Sequence, residues 1–423
     1  MERFFGILGI VFIFALAFLM SNNRKAINYK TVTTGFILQV LLAIFIFKIP
    51  LGQKIFMGIG IFIQKVLQFA NEGGRMVFGD LMSAKWTELF GGQIFAFQLI
   101  SSIIFMMILV NILYYYGIMQ RVVAFLGKAM NKLMSVSGAE ALSNVASAFV
   151  GQIVAQIMIR PYLAKLTRSE LLSSMAGSMA CISGAILPIY AGMGIPAEYL
   201  LASSIMAAPG ALALSKIIYP EVNIPETGQE IKVTYSKRRR THANVFDAIS
   251  SGASEGLKVA VNVIAMILAL VALVALIDWI LGGIGTLIVK YLHINTFIGM
   301  DLAHLSLKMI LGKIFAIFAF LMGVPIAEAT TVGSLMGTKL VLNEMVAYVD
   351  LVNLPQAISA KSFLIGSFAL CSFGNFGSIA IQLGGIGELA PNQRKNLARL
   401  GIRALICGTL TCYMSATIAG ILF

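Results

Sequence analysis

Residues 147–155 read Ser-Ala-Phe-Val-Gly-Gln-Ile-Val-Ala and residues 339–347 read Lys-Leu-Val-Leu-Asn-Glu-Met-Val-Ala. Each stretch places polar groups in the middle of an apolar run. About thirty residues later, a second apolar run is interrupted by small or polar residues, Met-Ala-Cys-Ile-Ser-Gly-Ala-Ile-Leu at 179–187 and Leu-Cys-Ser-Phe-Gly-Asn-Phe-Gly-Ser at 370–378. Backbone leaves a helix at membrane depth only where it faces protein or a cavity. Paired interruptions in corresponding halves therefore predict a secondary transporter with two inverted repeats and a binding site between them.

The composition predicts an all-α polytopic membrane protein. Hydrophobic residues make up 59% of the 423 and charged residues 12%, about half the share in soluble domains. The net charge of +13 lies mainly in short loops, as expected for Lys and Arg held on the cytoplasmic side. Nucleic-acid binding would need basic residues interleaved with aromatic ones on one exposed face, and the sequence has no such pattern.

Apolar runs of about twenty residues, long enough to cross a bilayer, occur eight times. They span residues 4–20, 31–49, 94–115, 171–193, 200–218, 259–281, 363–383 and 404–422. Three further segments have an apolar face with scattered charge and are predicted to lie in the membrane interface, at 56–69, 122–134 and 302–320. Two segments with polar residues in mid-run are predicted to be re-entrant hairpins, at 145–163 and 332–349.

These segments divide the chain into five parts. The predicted parts are N-terminal scaffold spans with an interfacial helix at 1–120, a first transport repeat at 121–219, a cytoplasmic linker at 220–245, a sixth, scaffold span at 246–295 and a second transport repeat at 296–423. Clusters of Lys and Arg, including Lys237-Arg-Arg-Arg240 in the linker, all fall on one side of the membrane if both termini are extracytoplasmic. The positive-inside bias therefore predicts outward termini.

The sequence contains no enzymatic grouping. It lacks an H-E-x-x-H metal-binding motif, a phosphate-binding glycine-rich loop and a Ser/His/Asp set. The four cysteines lie in apolar stretches without C-x-x-C spacing, as is typical of small packed side chains. We therefore expect neither an enzyme nor a cofactor beyond a coupling ion.

Glu344 is the leading candidate for a substrate-binding group. It lies between apolar neighbours in Leu-Val-Leu-Asn-Glu-Met-Val-Ala, and a carboxylate at membrane depth costs about 2.5–3.5 kcal/mol on insertion scales. Such a group can accept hydrogen bonds from a polyhydroxylated substrate or carry a proton. The structural alternative is an ion pair with Lys339. Other acidic residues near predicted span ends, Glu140 among them, are expected to be solvated at the interface.

Polar residues in the other interruptions extend this candidate site. Asn375 and Ser378 are three residues apart and share one face of a helical turn, although a helix–helix hydrogen bond would also explain them. Gln152 supplies a donor and an acceptor at the first tip. Ser147 and the carbonyl groups of an unwound segment at Cys181 are candidates for a hard-cation site.

At these residues the chain resembles the concentrative nucleoside transporter family over nearly its full length. The resemblance rests on motifs at 21–28, 114–119, 160–163, 168–171, 207–210, 323–325, 343–348, 369–375 and 383–391. It implies a homotrimer, each protomer with eight spans, three interfacial helices and two re-entrant hairpins, that imports nucleosides by cation-driven alternating access. It also implies that Glu344, Asn375 and Ser378 hold the ribose and that Phe373 lies against the base.

The sequence departs from the family in the first hairpin. The family tip Gly-Gln-Thr-Glu-Ala-Pro is Gly-Gln-Ile-Val-Ala-Gln at 151–156, so Ile153 and Val154 replace a hydroxyl and a carboxylate that usually face the base. An apolar wall discriminates less than hydrogen-bonding groups do, and we expect an altered or broadened base preference. The resemblance implies that the substrate-binding set is Gln152, Ile153, Val154, Ile186, Glu344, Phe373, Asn375 and Ser378.

The family's sodium site also differs here. The resemblance assigns it to the side chains of Ser147 and Cys181 and the carbonyl groups of Val150 and Ile182, where the family has Asn and Ser side chains. Thiols are poor ligands for hard cations, so the coupling ion is Na⁺ or H⁺, with Glu344 as the proton carrier in the second case.

Two functional interpretations follow from the sequence. The first is a cation-coupled nucleoside symporter of a bacterial inner membrane. The alternative is a diverged paralogue on the same scaffold that acts as a sensor or as an uncoupled carrier of another ribosylated solute.

Overall fold

Among the residues that the structure describes, the fold is an assembly of helices with one two-residue β-ladder. The structure is a computed structural model that describes residues 2–82, 95–184, 186–226, 243–297 and 299–423. The first half contains α1 Glu2–Leu19, α2 Tyr29–Phe47, α3 Pro50–Phe78, α4 Phe95–Tyr115, α5 Ile118–Met134, α6 Gly138–Val150, α7 Gln152–Met158, α8 Arg160–Leu163, α9 Arg168–Ala180, α10 Leu187–Gly192 and α11 Ala197–Ile218. The second half contains α12 Val245–Leu292, β1 Thr296–Phe297, β2 Met300–Asp301, α13 Leu307–Leu321, α14 Ile326–Val341, α15 Glu344–Val352, α16 Ala360–Leu370, α17 Phe376–Leu389 and α18 Arg394–Leu422.

Long apolar helices confirm the all-α membrane architecture. Within the described ranges, five helices are long and apolar enough to cross a membrane: α2, α4, α11, α12 and the helical segment that contains α18. The pair α13–α14 passes the same test together but is bent by 118°. The predicted fourth and seventh spans are each split into two helices, α9–α10 and α16–α17, as their internal glycines and polar residues predict.

The sixth predicted span is longer than expected. The apolar run at 259–281 lies within α12, which continues without a break for 48 residues, or about 72 Å at 1.5 Å per residue. Its N-terminus is capped by the Asn244 side chain, which accepts from Asp247 N. An apolar run in the sequence identifies only the apolar part of a helix. The more polar ends of α12 were therefore not predicted.

The first repeat begins with a helical hairpin. The Ser137 hydroxyl and the Glu140 carboxylate form a capping box at the start of α6, which satisfies the free amide groups of the helix. The hairpin turns at Gly151, where φ is +86°, a conformation that favours glycine. α9 then ends at Ala180, and the chain is non-helical until α10 begins at Leu187.

The second repeat also contains a hairpin followed by a broken helix, without a counterpart of the short helix α8. α14 ends at Val341, two residues separate it from α15, and α15 begins at Glu344. α16 ends at Leu370, and α17 begins at Phe376 with Asn375 as its N-cap. Each predicted repeat therefore contains a helical hairpin followed by a broken helix, and the inverted relation of the two repeats stays a prediction.

The buried centre of the molecule lies around α11 and α18. Most residues of both helices are buried, and they pack against α9, α2 and α16. The side of the molecule formed by α12 is largely exposed. The expectation that Glu140 is solvated is wrong: its carboxylate is buried, and its Oε2 lies 2.7 Å from Lys216 Nζ. The Lys237-Arg-Arg-Arg240 cluster lies outside the described residues.

Candidate functional site

The tip of the second hairpin and the second broken helix meet at Glu344. This carboxylate is the first residue of α15 and is 6% exposed. Its Oε2 accepts a hydrogen bond from Asn375 Nδ2 at 3.4 Å. Asn375 Oδ1 accepts from Ser378 N at 2.9 Å and so caps α17. The structure thus brings together the three residues that the sequence singled out, and their local positions are fixed by helix N-termini.

Tyr190 joins this site from the first repeat. Its hydroxyl donates to Glu344 Oε1 at 2.8 Å, and its ring lies 4.7 Å from the ring of Tyr348. Both tyrosines are fully buried. Sequence reasoning missed Tyr190. Tyr190 lies in α10, after the break within the predicted fourth span. A buried tyrosine hydroxyl there needs a hydrogen-bond partner, and that was the available signal.

Gln152 connects the first hairpin to the same site. It is the first residue of α7, and its Nε2 donates to Ser378 Oγ at 3.2 Å. Gln152 Oε1 is buried and has no hydrogen-bond partner among the described residues. The two breaks also touch directly, because Phe373 N donates to Cys181 O at 3.2 Å. Polar groups from both repeats therefore form one connected set.

The apolar residues of the predicted substrate set divide into two groups. Phe373 and Ile186 are partly buried and pack against one cluster that includes Tyr190. Ile153 lies instead against α17, where its Cδ1 fills the space next to Gly385. Val154 is 39% exposed. Ile186 and Phe373 thus lie beside the polar set, whereas the roles of Ile153 and Val154 in a base pocket stay predictions.

The residues of the predicted cation site lie at the contact between the first hairpin and the first break. Gly184 N donates to Phe149 O at 3.1 Å, which holds the break of α9–α10 against the hairpin. Ser147 Oγ donates to Ser143 O and lies 2.9 Å from Ser178 Oγ. Cys181 Sγ donates to Gly177 O. Val150 follows Phe149 at the end of α6 and Ile182 lies in the break, and their roles as cation ligands stay predictions.

A buried hydroxyl and amide network underlies this contact, and sequence reasoning did not find it. Gln156 Nε2 donates to Ser143 Oγ at 3.1 Å and to Ser178 Oγ at 2.9 Å. Ser174 Oγ donates to Gln156 Oε1 at 2.7 Å. Ser143 and Ser174 are also joined, at 2.6 Å. Gln156, the last residue of the unusual tip motif, thus ties α7 to both α6 and α9.

The chemical capacity of the site follows from these groups. Glu344 and Gln152 Oε1 offer acceptors, Asn375 and Gln152 Nε2 offer donors, and Ser378 offers both. All lie at helix N-termini: Gln152 and Glu344 are the first residues of α7 and α15, and Asn375 and Ser378 are the N-cap and the third residue of α17. Such a set suits a neutral ligand with adjacent hydroxyl groups, because a carboxylate accepts two hydroxyl donors at once.

Comparisons with known proteins agree with this arrangement. Family models described as the Na⁺-dependent nucleoside transporter N-terminus, nucleoside recognition, and the Na⁺-dependent nucleoside transporter C-terminus match residues 8–81, 96–197 and 199–420. The nucleoside permease NupC of Helicobacter pylori is 38% identical over 99% of this chain and 97% of its own. The chain belongs to the Na⁺-dependent nucleoside transporter family.

Solved structures of a family member share the fold. CNTnw in an inward-facing, substrate-bound state is 39% identical and superposes with a TM-score of 0.91, covering 100% of this chain and 98% of that one. A variant of CNTnw in an outward-facing state has the same identity and a TM-score of 0.92, covering 100% and 99%. The predicted family resemblance and fold class are confirmed, and the family consists of transporters rather than enzymes.

Proposed function

We propose that this protein is a cation-coupled symporter that imports nucleosides by alternating access, with the ribose held by Glu344, Asn375 and Ser378. The observation that carries the proposal is the buried Glu344 carboxylate, which accepts hydrogen bonds from Tyr190 and Asn375. Ligand hydroxyl groups at this position would complete the donor set of a carboxylate that is otherwise costly to bury. Phe373 and Ile186 supply an apolar surface for the base, while Ile153 and Val154 change the base preference.

The coupling ion is Na⁺ or H⁺. Membership of a sodium-dependent family favours Na⁺. The hydroxyl of Ser147 and the carbonyls of Val150 and Ile182 remain suitable oxygen ligands, but the Cys181 thiol does not. A proton bound at Glu344 is the second mode of coupling. The same proposal includes a homotrimer in the bacterial inner membrane with extracytoplasmic termini and the five-part domain division predicted above.

A second candidate function is a diverged sensor or an uncoupled carrier of another ribosylated solute. The altered tip favours it, because Ile153 and Val154 remove two hydrogen-bonding groups while Glu344 and Asn375 are retained. Both candidates use the same sugar-binding residues. They differ in whether solute is accumulated against its gradient.

The test is accumulation of labelled uridine and adenosine in proteoliposomes, first under an inward Na⁺ gradient and then under an inward proton gradient. Accumulation driven by Na⁺ supports the oxygen site at Ser147, and accumulation driven only by protons supports Glu344 as the carrier. Equilibration without accumulation supports the uncoupled carrier. Absence of uptake of either nucleoside under both gradients contradicts nucleoside import.

A further inference from the structure

The two repeats can be compared at their breaks, because each contains a helical hairpin followed by a broken helix. Aligning the hairpin breaks pairs Ser147 with Lys339 and Gln152 with Glu344. Both Gln152 and Glu344 are the first residues of the second hairpin arm. The same comparison of the broken helices, anchored where α9 and α16 end, pairs Cys181 with Cys371, and both are helix C-caps. The candidate cation ligands of the first repeat thus have defined counterparts in the second.

The counterpart of Ser147 is a lysine whose environment is unusual. Lys339 is fully buried in the last turn of α14. Within the described ranges, its Nζ has no hydrogen-bond partner and makes no ion pair with Glu344. Its Nζ lies over the ring of Tyr413, 6.0 Å from the ring centroid. The ion pair considered as an alternative role for Glu344 is therefore absent in this conformation.

Lys339 Nζ instead lies beside the non-helical segment between α16 and α17. A side chain built at Gly374 would place its Cβ 3.2 Å from Lys339 Nζ, 3.1 Å from Thr409 Oγ1 and 3.3 Å from Met179 O. Gly374 is the residue between Phe373 and Asn375. The amine therefore lies directly behind the backbone that carries two of the proposed substrate-binding groups. Two hydroxyl groups in this region, Thr409 Oγ1 and Ser372 Oγ, are buried and have no hydrogen-bond partner among the described residues.

Two helix C-termini converge on the same place. Met179 belongs to the last turn of α9. Cys412, which lies one turn after Thr409 on α18, donates its thiol hydrogen to Phe368 O and lies near Ala369 O in the last turn of α16. Helix C-termini carry partial negative charge. The partial negative charges of these two C-termini therefore compensate the positive charge of the buried Lys339 ammonium, which has no carboxylate partner among the described residues.

We propose that the Lys339 ammonium is a tethered cation, which holds the second hairpin against the two broken helices at the position equivalent to the coupling-cation site of the first repeat. A lysine cannot dissociate from the protein, so the second hairpin, with Glu344 at its tip, stays bound to the break in every state of the transport cycle. The first hairpin has Ser147 at this position, and its attachment responds to a dissociable ion.

The inference rests on the proposed function for the identity of the first-repeat site, so its test uses a readout that does not require transport. Thermal unfolding of the purified full-length protein in lipid nanodiscs is measured in choline chloride, sodium chloride and methylammonium chloride. Three proteins are compared: the wild type, Lys339→Ser, which takes the residue of the first repeat, and Lys339→Met, which keeps the length of the side chain without charge.

The expected result is that Lys339→Ser lowers the unfolding temperature in choline and regains a large part of the loss in sodium or methylammonium. That regain exceeds any response of the wild type to the same ions. Lys339→Met shows no additional response to either cation, because it leaves no space and no oxygen ligand. An equal response of Lys339→Ser in all three salts, whether it is folded or unfolded, overturns the proposal. So does a Lys339→Met protein as stable as the wild type in choline.

The reverse substitution in the first repeat tests whether Ser147 and Lys339 occupy equivalent positions. Ser147→Lys places an ammonium in the first repeat and is expected to abolish any sodium-dependent rise in unfolding temperature that the wild type shows. An unchanged sodium response in Ser147→Lys contradicts the equivalence of the two positions. If the wild type fails to accumulate nucleosides while these unfolding shifts appear, the proposal of nucleoside import is contradicted. The proposal that Lys339 is a tethered cation is still supported.

Discussion

The two hairpins each begin their second arm with a polar residue but differ in the chemistry of that residue. The second presents a carboxylate, Glu344, that receives hydrogen bonds from Tyr190 and Asn375. The first presents an amide, Gln152, that donates a hydrogen bond to Ser378. Hydrogen bonds from Gln156 to Ser143 and Ser178 attach this hairpin to α9. In the proposed site, the second repeat therefore supplies a charged group and the first repeat a neutral one. We expect substitutions in the second repeat to affect binding most.

The largest effect is expected for Glu344→Gln. The change removes a charged acceptor, and hydrogen bonds to charged groups contribute about 1.5–3 kcal/mol each. With two ligand hydroxyl groups involved, uptake measured as kcat/KM should fall by about 100-fold or more.

The matched control for Glu344→Gln is Asp350→Asn on the same helix. Asp350 pairs with Lys308 on a partly exposed surface, where an ion pair contributes about 0–1 kcal/mol. Uptake should change less than about twofold. Full uptake by the Glu344→Gln protein would show that the second hairpin does not hold the ligand.

A smaller effect is expected for Tyr190→Phe, which removes the first repeat's contribution to the Glu344 carboxylate. Loss of one hydrogen bond to a charged group should raise KM for the transported nucleoside by about tenfold. Tyr348→Phe is the control, because the neighbouring hydroxyl donates to the Ser367 carbonyl instead. That substitution should lower the unfolding temperature and leave KM unchanged. Equal KM shifts in the two variants would mean that Tyr190 acts through packing.

Gln152→Ala sharpens the comparison between the two tips. Gln152 makes a neutral hydrogen bond to Ser378, and such bonds contribute about 1 kcal/mol. Uptake should therefore fall by about fivefold, much less than for the corresponding Glu344 change. Gln53→Ala, at an exposed glutamine that donates to Phe47 O, is the control and should behave as wild type. A loss as large as that of Glu344→Gln would make the tips equivalent.

The smallest effect on total uptake is expected from restoring the family tip with Ile153→Thr and Val154→Glu. If these residues set the base preference, the ratio of uridine to adenosine uptake should shift by about threefold to tenfold, while binding of the sugar is retained. Competition between the two labelled nucleosides measures this ratio. An unchanged ratio would place base recognition elsewhere, near Phe373 and Ile186.

The interruptions were predictable because they contradict the local pattern. A carboxylate or an Asn between apolar residues, as at Glu344 and Asn375, is costly in lipid and therefore indicates both a break and a role. Gly151, which adopts positive φ at the hairpin turn, is a local signal of the same kind. These features depend on residues close in sequence.

The partners of those residues could not be predicted in the same way. Tyr190 and Glu344 are 154 residues apart, and a tyrosine in an apolar segment is compatible with packing alone. Glu140 looked like an interfacial residue because its counterion, Lys216, lies 76 residues further along the chain. Pairing across a fold depends on how helices pack, which spacing along one helix does not encode.

The most direct test of the central claim is equilibrium binding of uridine and 2′,3′-dideoxyuridine to the purified protein. If the second repeat holds the ribose through Glu344 and Asn375, loss of both hydroxyl groups leaves buried polar atoms without partners. Binding should then weaken by at least about tenfold. Equal affinities for the two compounds would contradict the assignment of this site to the sugar.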